Sequence, residues 1–244
     1  MKMRIAVWVS LMAALASPGL FAKEIKVVVP QLSPQATEVY SKLAVAVIEA
    51  TGNTASIQVV PFARAIHLME EGQADVASSI VEIPDQTKWS TLKFDYSTVT
   101  ALKIVFVLYA SKNNTIQASE LKAGNPKGYK IETDIAHVGH FSFVPAGSTS
   151  IDGSLKKIDA NQIDGFIFSQ GSTDAALKRL ALKNVARQYY DTLNGAFVLQ
   201  KGTRGGEIDK ILSVGMAKIK QNGKYQEIVG PYSALASSFL DWQP

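Results

Sequence analysis

The stretch from Glu24 to Ile80 decides the class of fold before any motif is considered. "EIKVVVP" is a short, almost continuous apolar run closed by Pro30, the pattern of a buried strand. Ser33-Pro34 then supplies an N-cap and a proline at the first helical position. Ala36, Val39, Tyr40, Leu43, Ala44, Val47 and Ile48 follow at helical spacing, and Gly52 ends the run. "SIQVV" reads as a second strand, "PFARAIHLMEEG" as a second helix and "VASSI" as a third strand. Strand, helix, strand, helix, strand is a βαβαβ unit. It implies a parallel sheet with a ligand crevice at the carboxyl ends of its strands.

The rest of the chain repeats the alternation. "LKIVFVLY" (102–109) is a long apolar strand that runs into polar "SKNNT". After it the pattern predicts a strand near "YKIE", a helix from about Ile135, a strand near "FSFVP" and a helix from Ser150. The strand "IDGFIF" and a helix over about 172–183 come next, then "AFVLQK" as a strand. A helix carrying Ile208, Ile211, Leu212, Gly215, Met216 and Ile219 follows, and the residues after Gly223 read as a tail. "EEGQADVASS" and "DANQIDGFIFS" echo each other: a helix end, Gly72 or Asn161, glutamine, an apolar residue, aspartate, then a strand finishing in serine. Gly and Asn are the residues best suited to a left-handed helix C-cap. Two readings stay open here: a corner common to any α/β chain, or two lobes of similar design.

Residues 1–22 have the marks of a secretory signal peptide. Lys2 and Arg4 precede the apolar run "IAVWVSLMAALA", and Pro18-Gly19 leads to a small residue at Ala22. The run is too short to span a bilayer. Cleavage after Ala22 would leave 222 of the 244 residues, with 23 basic against 21 acidic side chains. A charge of about +2 with no basic run interleaved with aromatics argues against a nucleic-acid partner. The chain has no cysteine, which excludes thiol nucleophiles and thiolate metal sites and leaves no lipobox for a lipid anchor. The expected product is a free, monomeric periplasmic protein.

"VPFARAIHLMEEGQADV", "FDYS", "YASKN", "ELKAGNPKGYKI", "SLKKIDANQIDGFIF", "GAFVLQKGT" and "KIKQNGKYQEIVGPY" occur in an order that resembles the periplasmic solute-binding proteins of the amino-acid-type family (family three). The resemblance covers nearly the whole mature chain. It implies the type II periplasmic-binding-protein fold: two α/β lobes joined by two hinge strands, with ligand held between them. Lobe one would comprise 23–108 and 195–244, and lobe two 109–194. The family's usual clamp for an α-amino acid is altered. Where members have "T-x-T-P-x-R", this chain has "VEIPDQTKW", with Gln86 or Thr87 in place of the arginine. Ser169 in "GFIFSQ" replaces the aspartate that accepts an ammonium, and "ETDIAH" stands where members carry a "G-T-T" loop.

Nine residues are the expected ligand contacts. Arg64 offers a planar fork of donors in the first turn of a helix, where the dipole disfavours a cation. That conflict asks for a functional reason, although a solvated arginine lying on Phe62 fits equally well. Phe62 is read as a stacking group or as the first core residue of its helix. Ser78 and Ser79 stand at the end of the lobe-one strand, and Glu82 follows. Thr133, Asp134, Ser169 and Gln170 hold the corresponding places in lobe two, with Trp89 beside them as a further candidate. His137 and His140 share a helix face at i,i+3 and are read as packed or surface histidines rather than as a metal site. Neither cofactor nor metal is expected.

No G-x-S-x-G elbow or phosphate-binding G-x-x-x-x-G-K-[ST] loop occurs, and three S-x-x-K matches lack their partner motifs. The sequence therefore points to a binding protein that captures a small polar ligand, amino-acid-like or anionic, for a membrane permease or sensor kinase. Two alternatives remain: a dehydratase-like enzyme on the same scaffold, with Glu82 or Asp134 as its acid or base, and the input module of a signalling system.

Overall fold

The computed structural model describes residues 22–114 and 116–237. All of the expected signal peptide except Ala22 lies outside the described residues, as does the side chain of Ser79.

The predicted βαβαβ unit forms as β1 (Glu24–Pro30), α1 (Pro34–Glu49), β2 (Thr54–Val60), α2 (Phe62–Glu70) and β3 (Val76–Val81). Ser33 caps α1, its Oγ accepting from Ala36 N at 3.3 Å, and Pro34 opens the helix. The face from Ala36 to Ile48 is buried as its spacing predicts. Each fully buried Leu, Val or Ile on it contributes roughly 1.5–3 kcal/mol. Both β2 and β3 pair parallel to β1.

The second alternation is more compressed than the sequence suggests. It comprises β5 (Ile131–Asp134), a 3-10 turn over Ile135–His140, β6 (Ala146–Ser148), α4 (Ile151–Asp159), β7 (Gly165–Ser169) and α5 (Gln170–Leu180). A short α3 (Ala118–Lys122) precedes it. The strand expected at "FSFVP" does not form there. Pro145 has no N–H to give, and pairing with β5 begins only after it, at Ala146. The helix expected over 172–183 begins at Gln170 and stops at Leu180, where Ala181 takes a left-handed conformation with φ 51°. Both β6 and β7 run parallel to β5.

Two long strands join these groups. β4 (Phe94–Ser111) and β8 (Val185–Gln200) pair antiparallel from Phe94↔Gln200 to Ser111↔Val185. The eight strands order as β2-β1-β3-β8-β4-β7-β5-β6. β3 borders β8 over Gly195–Leu199, and β7 borders β4 over Phe106–Ala110. The same two strands therefore carry one α/β lobe at each end. Their register shifts at Tyr96/Thr100, Thr100/Leu102 and Phe106/Val107, so the ladder is irregular where the chain passes between lobes.

The residues after Gly223 are not a tail. α6 (Glu207–Gln221) is followed by α7 (Lys224–Ser237), which continues through Pro231. Tyr232 on α7 sits edge-on to Tyr40 of α1, its hydroxyl 3.4 Å from that of Tyr40, and lies against Gly171 of α5. α7 thus touches both lobes.

Candidate functional site

The carboxyl end of the β1–β3 group faces the 3-10 turn and the start of α5 across the sheet. Pro30 comes from the end of β1, Leu32 from the β1–α1 loop, Tyr40 from α1, Phe62 from the head of α2 and Val81 from the end of β3. His137, Phe168 and Ser169 approach from the other lobe, and Ile104 and Phe106 of β4 form the floor. These side chains enclose a cavity of about 30 Å³, room for roughly a single water. A groove of about 540 Å³ adjoins it, sharing Leu32 and Phe168, with Asp134, Ser150 and Arg179 among its walls.

His137 stands at the centre. It is 6 % exposed, and its ring centroid lies 5.2 Å from Phe168, 5.9 Å from Phe106 and 6.0 Å from Phe62. Asp134 caps the 3-10 turn, Oδ1 accepting from Ala136 N at 2.9 Å, and the same oxygen lies 3.1 Å from His137 Nδ1. A carboxylate accepts only, so neutral His137 carries its proton on Nδ1 and turns Nε2 into an acceptor. No hydrogen bond reaches Nε2 among the described residues.

His140 bridges the two lobes directly. Its Nε2 is 3.1 Å from the Val81 carbonyl in the other lobe, and its Nδ1 is 3.2 Å from the His137 carbonyl. Lys88 Nζ adds a second bridge, donating to Gly139 O at 3.2 Å. Burial, and then the neighbouring His137, push the His140 imidazole down to about 4. Burial at this contact therefore disfavours a proton that a solvated imidazole accepts near its ordinary value of about 6.5. Its contribution to the contact is complete above that value and is lost as pH falls toward 4. His137, Lys88 and, through His137, Asp134 are the titratable groups facing it. Lowering pH from about 7 to 5 should open the interlobe contact, and a His140→Gln variant should lose most of that response. Hydrogen exchange at the 3-10 turn checks this; equal pH dependence in both proteins would contradict it.

Eight of the nine expected contacts separate into three groups. Phe62 and Ser169 line the cavity, and Asp134 lines the groove beside it. Ser78 and Thr133 are fully buried, with their hydroxyls donating to backbone carbonyls, Ser78 to Tyr40 O at 3.1 Å and Thr133 to Ile167 O at 2.7 Å. Gln170 is buried at the start of α5 beside Asp174. Glu82 lies at the crossover strands, Oε2 accepting from Asn194 Nδ2 at 2.8 Å, in a separate depression with Trp89 and Lys103. Arg64 is exposed on α2 and lines neither cavity nor groove; among the described residues no hydrogen bond or ion pair holds it. The side chain of Ser79 is outside the described residues.

His137, Tyr40, Phe106 and Phe168 were not among the expected contacts. Asp134 followed three residues later by His137 is the one local signal that points to the pair, because a capping carboxylate reaches an i+3 side chain.

No family model matches this chain, and no curated protein does. Solved structures match it over most of their length. A histidine kinase sensor domain with similarity to periplasmic binding proteins aligns at 15% identity and TM-score 0.66, over 86% of this chain and 96% of that one. The arginine-, lysine-, histidine-binding protein ArtJ from Geobacillus stearothermophilus aligns at 15% identity and TM-score 0.62, over 87% and 95%. EhuB in complex with hydroxyectoine aligns at 16% identity and TM-score 0.63, over 88% and 91%. The likeness is one of fold, the two-lobed type II arrangement of periplasmic binding proteins.

Proposed function

We propose that this chain is a solute-binding protein that receives a small polar ligand between its two lobes, about 23–108 with 195–244 and about 109–194. The observation that carries the reading is the cavity whose walls come from both lobes, with Phe62 of α2 set against His137 of the 3-10 turn. A volume of about 30 Å³ admits no solute, so the lobes must part for entry and re-form contacts around it. Ligand contacts to both walls exist only in the closed arrangement, and binding therefore shifts an open–closed equilibrium. Register shifts in β4 and β8 supply the irregular segment about which the lobes turn.

Phe62, Ser169 and Asp134 are the expected contacts we retain. The role is capture and presentation rather than catalysis, in the periplasm after removal of residues 1–22. The acid–base candidates fit that reading: Glu82 is engaged by Asn194 at the crossover, and Asp134 is engaged in capping and in orienting His137. The likeness to a histidine kinase sensor domain favours a second reading for the partner, with the closed form presented to a sensor kinase instead of a permease. Small-angle scattering with a panel of small polar solutes tests the capture reading. A bound solute should shrink the radius of gyration, and a panel in which binding leaves it unchanged would remove the closure mechanism.

A further inference from the structure

The cavity and its groove select for charge, and the selection runs against a carboxylate. The cavity wall holds no lysine or arginine; its polar members are His137, Ser169 and the Tyr40 hydroxyl. Tyr40 Oη is paired with Tyr232. Arg179, the cation on the groove, is engaged by Asp152, its Nη2 at 2.6 and 2.8 Å from the two carboxylate oxygens. A ligand carboxylate would meet no cation in the cavity, and on the groove it would compete with Asp152 for Arg179 beside a second carboxylate, Asp134.

A cation meets the opposite conditions. Asp134 brings a carboxylate that is 32 % exposed, with Oδ1 engaged by Ala136 and His137. Among the described residues Oδ2 carries no hydrogen bond. His137 Nε2 is an acceptor in the neutral imidazole fixed by that contact. Phe62, Phe106 and Phe168 pack around His137, and Phe168 with Leu32 gives the adjoining groove an apolar wall that can cover a carbon skeleton.

Building on the solute-binding reading, we propose that the ligand is an organic amine bound as its ammonium and carrying no carboxylate on the bound end. Its ammonium donates to Asp134 Oδ2 from the groove, and its carbon chain lies along the 540 Å³ groove against Leu32 and Phe168. Asp134 sets specificity, and His137 is a positioning residue that holds its Oδ1.

Isothermal calorimetry on the mature chain with four probes of similar length tests this: butylammonium, 1,4-diaminobutane, 4-aminobutyrate and butyrate. The amines should bind at least tenfold more tightly than butyrate, with 4-aminobutyrate between. Asp134→Asn keeps an oxygen to cap the turn but removes the charge. It should weaken the amines at least tenfold and leave butyrate unchanged. His137→Leu should weaken the primary amines as well, with circular dichroism confirming an intact fold. Butyrate binding as tightly as the amines overturns the proposal, as does an Asp134→Asn protein with unaltered amine affinity or a chain that binds neither amine. The broader reading fails separately: if butyrate or another polar solute binds and compacts the protein, capture stands and only the ligand class is wrong.

Discussion

Replacing Asp174 with alanine is expected to lower the unfolding free energy by about 3–5 kcal/mol, the usual cost of breaking a buried ion pair from one side. Asp174 projects from α5 between the two crossover strands. Arg187 of β8 donates from Nη2 to its Oδ2 at 2.7 Å, and Tyr109 of β4 donates from its hydroxyl to Oδ1 at 2.7 Å. The Arg187 side chain is only 1 % exposed. Burial raises the Asp174 carboxyl, against the opposing pull of Tyr109 and Arg187, so the group is held in place at a desolvation cost. Alanine leaves the guanidinium buried without its carboxylate. Urea denaturation of the two proteins measures the difference, and a loss below about 1 kcal/mol would mean that the network is solvated. Because β4, β8 and α5 meet here, the network also keeps the far lobe fixed to the strands that carry it.

The second large effect is expected at Gly215. A Cβ built there would lie 1.8 Å from the Val47 carbonyl oxygen, so α6 and α1 touch backbone to backbone. Alanine cannot be accommodated by turning a side chain; the helices must separate and leave Leu43, Val47 and Met216 poorly packed. Overpacking of this kind costs about 3 kcal/mol. The gain in helix propensity from glycine to alanine, about 1 kcal/mol, opposes it without cancelling it. Thermal denaturation of Gly215→Ala should show a clear fall in midpoint, and a midpoint at or above that of the parent would contradict the contact.

The corner echo between "EEGQADV" and "DANQIDG" shows how much of the fold the sequence carries. Gly72 and Asn161 both take left-handed conformations, with φ 67° and 55°. Asp75 Oδ2 accepts from Lys26 N at 2.9 Å, and Asp164 Oδ2 accepts from Lys130 N at 2.7 Å. Each aspartate ties the start of its strand to the adjacent parallel strand in its own lobe. Local chemistry sets that corner, so it is readable from residue types. Non-local geometry is not. The full lengths of β4 and β8 depend on pairing with each other, and polar residues such as Asp95, Ser97 and Thr98 conceal the beginning of β4. α7 is hidden by Gly230-Pro231, which reads as a stop but lies within the helix because tertiary contacts at Tyr232 hold it.

The site is legible in part for the same reason. Position in the crevice was predictable for Phe62, Asp134 and Ser169, which stand at the ends of local elements. Side-chain direction was not. Ser78 and Thr133 occupy the expected strands but point into the lobes, where their hydroxyls meet backbone carbonyls. Phe106 and Phe168 look in the sequence like any core residue of an apolar strand; only the approach of the two lobes makes them a cavity wall. His137 required both facts together, the cap at Asp134 and the docking of the 3-10 turn on the other lobe.

Closure around a solute is tested most directly by a distance between the lobes. The chain has no cysteine, so Ser56→Cys on β2 and Lys156→Cys on α4, both exposed, give a unique pair of spin labels. Double electron–electron resonance should show a broad distribution without solute, and a single narrow, shorter distance with saturating butylammonium. A distribution unchanged by a solute that calorimetry shows to be bound would contradict capture between the lobes.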